Sequence, residues 1–257
     1  MSSLGKRVRM NRIFSHPSRR ILSVAVDHMC NYPMGMPAGI RDMADCLRQI
    51  VAGEPSAITM NKGIAMRYME PYAGKVPFIV QQMVVRPHPD EYFGAHASVA
   101  EVVGLGADAI AVAICVKNKT EADQIKHLAS VVREAEPYGL PVIPHIYPIG
   151  AEDEGHSVSL LADDVFYAAR IGIEMGSDIV KVPYTGDVAS FRDIVNCSPV
   201  PIVSAGGPTC KTIEDAESMI AEVVASGAAG ATVGRNIWGF PDPAEATRRL
   251  KRIVFGE

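Results

Sequence analysis

The sequence of 257 residues has no long apolar run and no long run of charge of either sign. No segment reaches the ~18 unbroken apolar residues that a membrane helix needs, and the basic residues near the start precede no signal-peptide core. Lysine plus arginine (25) nearly balance aspartate plus glutamate (29), so the formal net charge is −4. This balance argues against nucleic acid as the main partner. We expect neither a membrane nor a nucleic acid partner.

Cysteine pairs and metal-binding spacings are missing as well. The five cysteines are scattered, with no C-x-x-C pair and no disulfide framework, which suits a reducing cytoplasm. The seven histidines show no H-x-H or H-E-x-x-H spacing, and no G-x-G-x-x-G turn is present. We therefore expect no metal and no cofactor, a cytoplasmic location, and chemistry that depends on a lysine.

Apolar strand patterns alternate with helical patterns along the whole chain. The predicted strands are residues 21–26, 57–60, 77–83, 108–114, 141–147, 179–182, 201–205 and 229–233, and the predicted helices include 40–51, 97–105, 120–138, 159–175, 188–195, 213–226 and 243–254. A two-unit repeat supports the count: strands three, five and seven open with proline, and strands four, six and eight follow a helix-ending glycine. Continuous apolar strands between helices are typical of a parallel sheet.

Eight strand–helix units use up the length of the chain. This favours an α/β fold of the (β/α)8 TIM barrel type over a doubly wound open sheet. We expect one barrel domain over residues 1–257, in which the basic residues 1–20 form an N-terminal covering segment under the barrel floor.

One predicted strand, residues 179–182, contains a lysine among apolar residues. Side chains alternate along a strand, so Lys181 shares a face with Ile179 while Val180 and Val182 take the other face. A buried ammonium is costly, so such a lysine finds a partner or loses its proton, and a neutral amine attacks carbonyl carbon. The alternative is a lysine that extends to water at the strand end.

Polar residues gather where the predicted strands end, which is where barrel enzymes carry out chemistry. These strand ends carry Asp27, His28, Asn61, Lys62, Gln81, Cys115, His145, Tyr147, Lys181 and Ser204. Each alone also fits a structural role: Asp27 as a turn cap, Tyr147 as a half-buried aromatic, and His145 as a hydrogen-bonded core histidine. Their joint presence at one rim favours an active site.

The last two predicted strands end in glycines beside an arginine. The two segments are Ser204-Ala205-Gly206-Gly207 and Gly234-Arg235-Asn236. Loops at these two barrel positions often hold phosphate with backbone amides, and arginine adds a bidentate contact. The pattern therefore predicts a phosphate site, with ordinary tight turns and a surface ion pair of Arg235 as the alternative.

Taken together, these segments resemble the Schiff-base (class I) aldolases of the archaeal-type fructose-bisphosphate aldolase family, whose relatives include deoxyribose-phosphate aldolase. The matching blocks are Ala25-Val26-Asp27-His28, Asn61-Lys62-Gly63, Gly106-Ala107-Asp108-Ala109, Tyr147-Pro148-x-Gly150, Asp178-Ile179-Val180-Lys181-Val182, Gly206-Gly207-Pro208 and Gly234-Arg235-Asn236. The resemblance implies that Lys181 forms the Schiff base, that Tyr147 is its acid/base partner, and that Asp27 assists carbinolamine chemistry. It also implies a phosphate site made of Ser204, Gly206, Gly207, Gly234 and Arg235, with His28 and His145 as candidate substrate contacts.

Several positions depart from the family's pattern. His145 stands where sugar-phosphate members tend to carry a large aromatic, and Ile149 replaces the usual basic residue after Tyr-Pro. These departures concern the substrate more than the lysine.

The resemblance implies an aldolase for a small phosphorylated sugar or keto substrate, in a homo-oligomer that in this family is often a decamer. A transferase of the thiolase type that uses the same lysine is one alternative. A non-catalytic barrel that binds a phosphorylated metabolite is the other.

Overall fold

The computed structural model describes residues 3–31, 35–86, 92–150 and 157–257. Its strands are β1 (Ile21–Ala25), β2 (Ala57–Asn61), β3 (Phe78–Arg86), β4 (Tyr92–Ala95), β5 (Ala109–Val116), β6 (Val142–Pro148), β7 (Val180–Val182), β8 (Ile202–Ala205) and β9 (Gly230–Val233). Its α-helices are α1 (Leu4–Ile13), α2 (His28–Asn31), α3 (Met43–Ala52), α4 (Lys62–Tyr68), α5 (Val99–Gly104), α6 (Glu121–Ala135), α7 (Ala162–Glu174), α8 (Val188–Asn196), α9 (Ile213–Ala225), α10 (Arg235–Trp238) and α11 (Pro243–Phe255).

Eight parallel strands close into a ring, so the predicted TIM barrel is confirmed. The order around the sheet is β2-β1-β9-β8-β7-β6-β5-β3, and a pairing between β2 and β3 completes the circle. The strand β4 is antiparallel to β3 and lies outside this ring. Neither β4 nor α4 was predicted from the sequence.

The two faces of β7 show how side chains sort between the layers of the barrel. Val180 and Val182 pack in the large cluster between strands and helices. Ile179, just before β7, belongs instead to a smaller cluster inside the barrel, together with Val203. Because faces alternate along a strand, Lys181 points into the barrel, as the sequence predicted.

The N-terminal helix α1 lies against the end of the barrel where the strands begin. Ile13 and Phe14, at and just after its last turn, are 0% and 3% exposed. They pack with the first inward-facing residues of the barrel: Ile21, Ala57, Ile79, Ala109, Ala111, Ile143, Ile179 and Val203. Burying an aromatic or branched aliphatic side chain stabilises a fold by about 1.5–3 kcal/mol. We call this set of residues the floor cluster.

Two aspartates from the repeated glycine–x–aspartate pattern hold α1 in place. Asp178 accepts a hydrogen bond from the Val142 amide at 2.9 Å and lies 3.1 Å from Lys6 Nζ. Asp108 lies 3.3 Å from the guanidinium of Arg12. The repeat therefore anchors α1 by pairing two of its basic residues with aspartates that lie just before β5 and β7.

Side-chain caps define the starts of several outer helices. Ser98 with Glu101, and Thr212 with Asp215, form reciprocal capping boxes at α5 and α9. Such caps satisfy amide donors that the first helical turn leaves without partners. Within the described ranges, no helix combines the length and apolar character needed to cross a membrane.

Candidate active site

A cavity of about 320 Å³ opens where the barrel strands end. The residues that line it are Ala25, Asp27, His28, Tyr147, Val158, Leu160, Lys181, Pro183, Ala205, Gly206, Gly207, Pro208, Thr232, Gly234 and Arg235. The carboxyl ends of barrel strands are the usual position for catalysis in this fold. Ten site residues were predicted from the family resemblance, and eight of them line this cavity. The two that do not are Ser204 and His145.

Lys181 reaches the cavity from the middle of β7, although its residue is only 6% exposed. His145 on β6 is its direct neighbour in the sheet register. Burial holds the pKa of His145 well below its usual value, and the charge of Lys181 lowers it further. The lysine therefore has a neutral imidazole beside it. His145 is only 3% exposed and is not among the residues that line the cavity. It contributes as a buried neighbour of the lysine.

Tyr147 follows two residues later on the same face of β6, next to Cys115 of β5. Burial raises the pKa of its phenol, and the charges of Asp27 and Cys115 add to this, while Arg235 acts in the opposite sense. The phenol is consequently protonated at neutral pH. A protonated tyrosine that faces the same cavity as an amine can give a proton to a reacting oxygen and later take one back.

Asp27 and His28 bring a carboxylate and an imidazole from the end of β1. Asp27 is 5% exposed, and its Oδ1 lies 3.5 Å from His28 Nδ1. Burial lowers the pKa of His28; Asp27 raises it, and Lys181 and Arg235 lower it. The net shift is downward, so this contact joins a carboxylate to a neutral ring at neutral pH. Trp238 packs edge-on against that ring, with 5.2 Å between centroids.

The glycines that follow β8 and β9 bring bare backbone to the cavity. Gly207 has φ +68°, a conformation that side-chain-bearing residues rarely adopt. A Cβ at Gly234 would lie 2.2 Å from His28 Cε1, so only glycine fits there. The guanidinium of Arg235 donates to the Gly207 carbonyl at 3.2 Å, which places its charge beside both glycine loops.

Asn236 was predicted only as part of the segment Gly234-Arg235-Asn236, without a role of its own, and its side chain is a structural support of this region. Its Nδ2 donates to the carbonyls of Gly206 at 3.0 Å and Pro208 at 2.8 Å, and its Oδ1 accepts from the Cys210 amide at 2.7 Å. The side chain is buried and holds the glycine loop against the start of α10. Its position directly after Arg235 was the available signal.

Ser204 was predicted as part of the phosphate site, but it faces away from the cavity. It is fully buried, and its hydroxyl donates to the Ala205 carbonyl at 2.8 Å. The preceding residue Val203 pairs with Lys181 and points into the barrel. Alternation along β8 therefore turns Ser204 toward the surrounding helices.

Two apolar residues of the cavity wall, Val158 and Leu160, were not predicted. They come from the segment after β6, where an antiparallel bridge joins Val158 to Ile149. The Ser159 amide also donates to the Pro148 carbonyl at 2.8 Å. In the ranges that the structure describes, no group of three histidine, cysteine or acidic side chains could hold a metal ion.

The ring of parallel strands and the lysine-bearing cavity define a barrel of the aldolase type, and sequence comparison gives the family. Residues 21–239 match the family described as DeoC/LacD family aldolase, and the chain belongs to that family.

The chain is 33% identical to the class 1 fructose-bisphosphate aldolase of Thermoproteus tenax, over 95% of this chain and 93% of that protein. It is 32% identical to 2-amino-3,7-dideoxy-D-threo-hept-6-ulosonate synthase 1 of Archaeoglobus fulgidus, over 98% of this chain and 92% of that protein.

A similar solved structure is an archaeal fructose-1,6-bisphosphate aldolase whose catalytic lysine is covalently bound to the carbinolamine intermediate of the substrate. The TM-score is 0.85 at 31% identity, with 98% of this chain and 100% of that chain covered. The chain is accordingly a Schiff-base (class I) aldolase, a carbon–carbon lyase, as the sequence predicted.

Proposed function

We propose that Lys181 forms the Schiff base and that the substrate is a small phosphorylated ketose or keto compound. The observation that carries this proposal is one cavity wall that includes Lys181, Tyr147, Asp27 and Arg235. An amine, a proton donor, a carboxylate and a guanidinium are the groups that such a reaction needs.

The first half of the reaction builds the imine. The neutral amine of Lys181 attacks the carbonyl carbon, and the resulting carbinolamine carries the former carbonyl oxygen as a hydroxyl. Tyr147, whose raised pKa keeps it protonated, gives its proton to that hydroxyl, which leaves as water. Asp27 orients the carbinolamine and a substrate hydroxyl by accepting hydrogen bonds.

The second half breaks the carbon–carbon bond. The hydroxyl two carbons away from the imine carbon loses its proton to the Tyr147 phenolate, and its oxygen becomes the aldehyde carbonyl. The electron pair of the broken bond moves into the protonated imine and gives an enamine. Protonation of the enamine carbon and hydrolysis then release the ketone and the free lysine. Synthesis runs through the same steps in reverse.

Arg235 and the glycine loops provide the anion site in this proposal. Binding energy from a non-reacting phosphate can orient the carbonyl over the amine. The name of the Thermoproteus tenax relative, a fructose-bisphosphate aldolase, supports a phosphorylated sugar here. Arg235→Ala should lower kcat/KM on a phosphorylated substrate by a factor that corresponds to ~2–4 kcal/mol of transition-state stabilisation. The loss on the unphosphorylated analogue should be far smaller. An equal loss on both would make Arg235 structural.

Borohydride trapping tests the assignment of the lysine. Substrate plus borohydride should add a covalent mass to the peptide that contains Lys181, and Lys181→Met should abolish it. The matched control is Lys62→Met, because Lys62 also follows a strand end but its Nζ pairs with Glu101 at 2.9 Å. If the trapped mass were on Lys62 in the wild type, Lys62 and not Lys181 would be the lysine that forms the imine. Product analysis with and without coenzyme A separates the aldolase from a transferase that uses the same lysine.

We further propose that residues 1–257 act as one barrel domain in the cytoplasm and as a homo-oligomer. The free state of Cys30, Cys46, Cys115, Cys197 and Cys210 supports a reducing compartment. The mass of the purified protein in solution tests the assembly, and a monomeric mass would refute it.

A further inference from the structure

Helix α6 sends one buried polar side chain back to the end of β5. Gln124, near the start of α6, is only 1% exposed. Its Oε1 accepts from the Cys115 amide at 2.7 Å, and its Nε2 donates to Thr120 Oγ1 at 2.8 Å. A buried polar side chain is costly unless it is hydrogen-bonded. Both ends of this side-chain amide are bonded, and one of them is bonded to the backbone of a barrel strand.

The Cys115 amide uses this acceptor because β5 loses a strand neighbour before its own end. In the described part of the chain, the register between β3 and β5 ends at the pair of Met83 and Val112. On its other edge, β5 pairs with β6 as far as Val116, whose carbonyl accepts from the Ile149 amide at 2.9 Å. Successive residues of a strand present their backbone groups to opposite edges. The Cys115 amide therefore points to the edge that β3 has left.

The turn after β5 is held by the same helix. Lys117 has φ +64°, in the left-handed region that side-chain-bearing residues rarely adopt. Its amide donates to the Glu121 carboxylate, and its Nζ pairs with Asp164. Such a conformation persists only where the surrounding contacts hold it. Two side chains of α6 thus fix two backbone amides at the end of β5.

The segment that Gln124 fixes is the one against which Tyr147 lies. Cys115 and Tyr147 are partners in the register of β5 with β6. The Tyr147 side chain packs on a small buried cluster that includes Cys115 and Ile149. Tyr147 and Lys181 line the same cavity. A shift at the end of β5 would therefore move the phenol relative to the amine.

We infer that Gln124 is a positioning residue for proton transfer, which aligns the Tyr147 phenol with the substrate on Lys181 by fixing the Cys115 amide. This inference rests on the proposed function, in which Tyr147 moves the proton. Gln124 is not among the described residues that line the cavity, so it acts through the strand and not through a substrate contact. The expected result of its loss is a lower kcat with a nearly unchanged KM.

Two substitutions separate the hydrogen bond of Gln124 from its bulk. Gln124→Met keeps the length of the side chain and removes the oxygen that accepts from Cys115. Because a displacement of about 1 Å can cost ~10²-fold in rate, kcat per folded molecule should fall about tenfold to a hundredfold, with KM within about twofold of the wild type. Gln124→Glu retains the acceptor, and the Cys115 amide and the Thr120 hydroxyl can both donate to it. Its kcat should stay within about threefold of the wild type.

Two compounds supply the kinetics. The first is fructose 1,6-bisphosphate, the sugar in the name of the Thermoproteus tenax relative, and cleavage is measured. The second is dihydroxyacetone phosphate, a small keto phosphate, and exchange of a proton on its hydroxymethyl carbon with solvent deuterium is measured. This exchange requires the imine and a proton transfer, but no aldehyde. Borohydride trapping on Lys181 is followed with both compounds.

Gln82 supplies a matched control on a different strand. It is 3% exposed, and its Oε1 lies 2.9 Å from Nε2 of His127 on α6. Gln82→Met also removes a buried amide that joins a strand to α6, but that strand is β3 and not the neighbour of Tyr147 in the sheet register. It should lower the urea midpoint as Gln124→Met does and leave kcat per folded molecule within about twofold of the wild type. An equal fall of kcat in both variants would overturn the inference.

A double-mutant cycle with Tyr147→Phe tests whether Gln124 acts through the phenol. In the Tyr147→Phe background, Gln124→Met should change kcat by less than about twofold, because the group that it positions is already gone. An undiminished loss in that background would overturn this inference alone. Unchanged kcat in Tyr147→Phe, or no imine on Lys181 with either compound, would overturn the proposed function and this inference with it.

Discussion

The two ends of the barrel interior are built from the same strands and differ completely in chemistry. At the floor, Ile179 packs with Ile13 and Phe14 in the apolar cluster that α1 closes. Two residues further along the same strand, ~7 Å away, Lys181 faces the cavity. Stability and chemistry are thus separated along the strand axis, and substitutions at the two ends should have separable effects.

A polar layer lies between these two ends. The Ser23 and Thr59 hydroxyls are 2.9 Å apart inside the barrel, and Gln81 donates to the Met83 carbonyl at 2.7 Å. These side chains are fully buried, and the hydrogen bonds of the two hydroxyls and of Gln81 Nε2 limit the cost of placing them under the cavity, although Gln81 Oε1 has no hydrogen-bond partner. The change from an apolar floor to an ionisable rim is therefore gradual.

The largest expected effect comes from the rim. Lys181→Met should lower kcat by roughly 10⁴-fold or more, because the nucleophile is lost. It should leave the free energy of unfolding within about 1 kcal/mol, since a buried amine is exchanged for an apolar side chain of similar length. Steady-state kinetics and denaturant unfolding check both values. A Lys181→Met variant that is strongly destabilised but still active would contradict the separation of catalysis at the rim from stability at the floor.

Tyr147→Phe should come next. Loss of the proton donor is expected to lower kcat by ~10² to 10⁴, while borohydride still traps the imine slowly. The phenyl ring keeps its packing against Cys115, so the unfolding midpoint should change little. A large rise in KM with kcat intact would instead give Tyr147 a binding role.

The floor should show the reverse pattern. Phe14→Ala is expected to cost about 3–5 kcal/mol of unfolding free energy, because it empties a buried site in the floor cluster. The kcat per folded molecule should stay close to that of the wild type. Phe166→Ala, at a side chain that is 36% exposed, is the control and should cost much less. A large fall in kcat for Phe14→Ala would mean that packing in the floor cluster affects the geometry of the catalytic residues at the cavity.

The smallest effect concerns the ion pair that fastens α1. Burial lowers the pKa of Lys6, but the hydrogen bond to Glu136 and the charge of Asp178 outweigh it, so the pKa lies above 10.5. The pairing therefore stabilises the fold fully below pH 10.5 and is lost as pH rises through the higher folded-state pKa.

Lys6→Met should accordingly cost about 1–2 kcal/mol at pH 7 to 9, and the difference from the wild type should shrink above pH 10.5. Urea unfolding across this pH range measures it. Lys126→Met is the exposed control, since both Lys126 and its partner Asp123 are largely in solvent. A cost at Lys6 that is independent of pH would assign the effect to packing.

Sequence reasoning succeeded where local rules act. The barrel strands followed from apolar runs between proline and glycine, and the inward direction of Lys181 followed from alternation along β7. The strand β4 was missed because Tyr92–Ala95 is only four residues long. The same alternation rule could have predicted the outward direction of Ser204, because it follows the inward-facing Val203 on β8.

The rest depended on three-dimensional register. His145 and Tyr147 look equivalent in the sequence, yet only Tyr147 reaches the cavity, because depth in a barrel depends on the stagger between neighbouring strands. Leu160 reads as part of the next helix, although α7 begins at Ala162. The bridge to Ile149 that turns this segment toward the cavity has no local sequence signature.

The closure of the floor by α1 also bears on the order in which the chain can fold. The residues of α1 are synthesised before every strand that they pack against, and their partners Asp108 and Asp178 lie far along the chain. Contacts between such distant residues carry a high loop-closure entropy and form slowly. Helix α1 should then be among the last elements to dock, although it precedes the barrel strands in the sequence. Pulse-labelling hydrogen exchange during refolding should accordingly show late protection of its amides, and early protection would contradict this order.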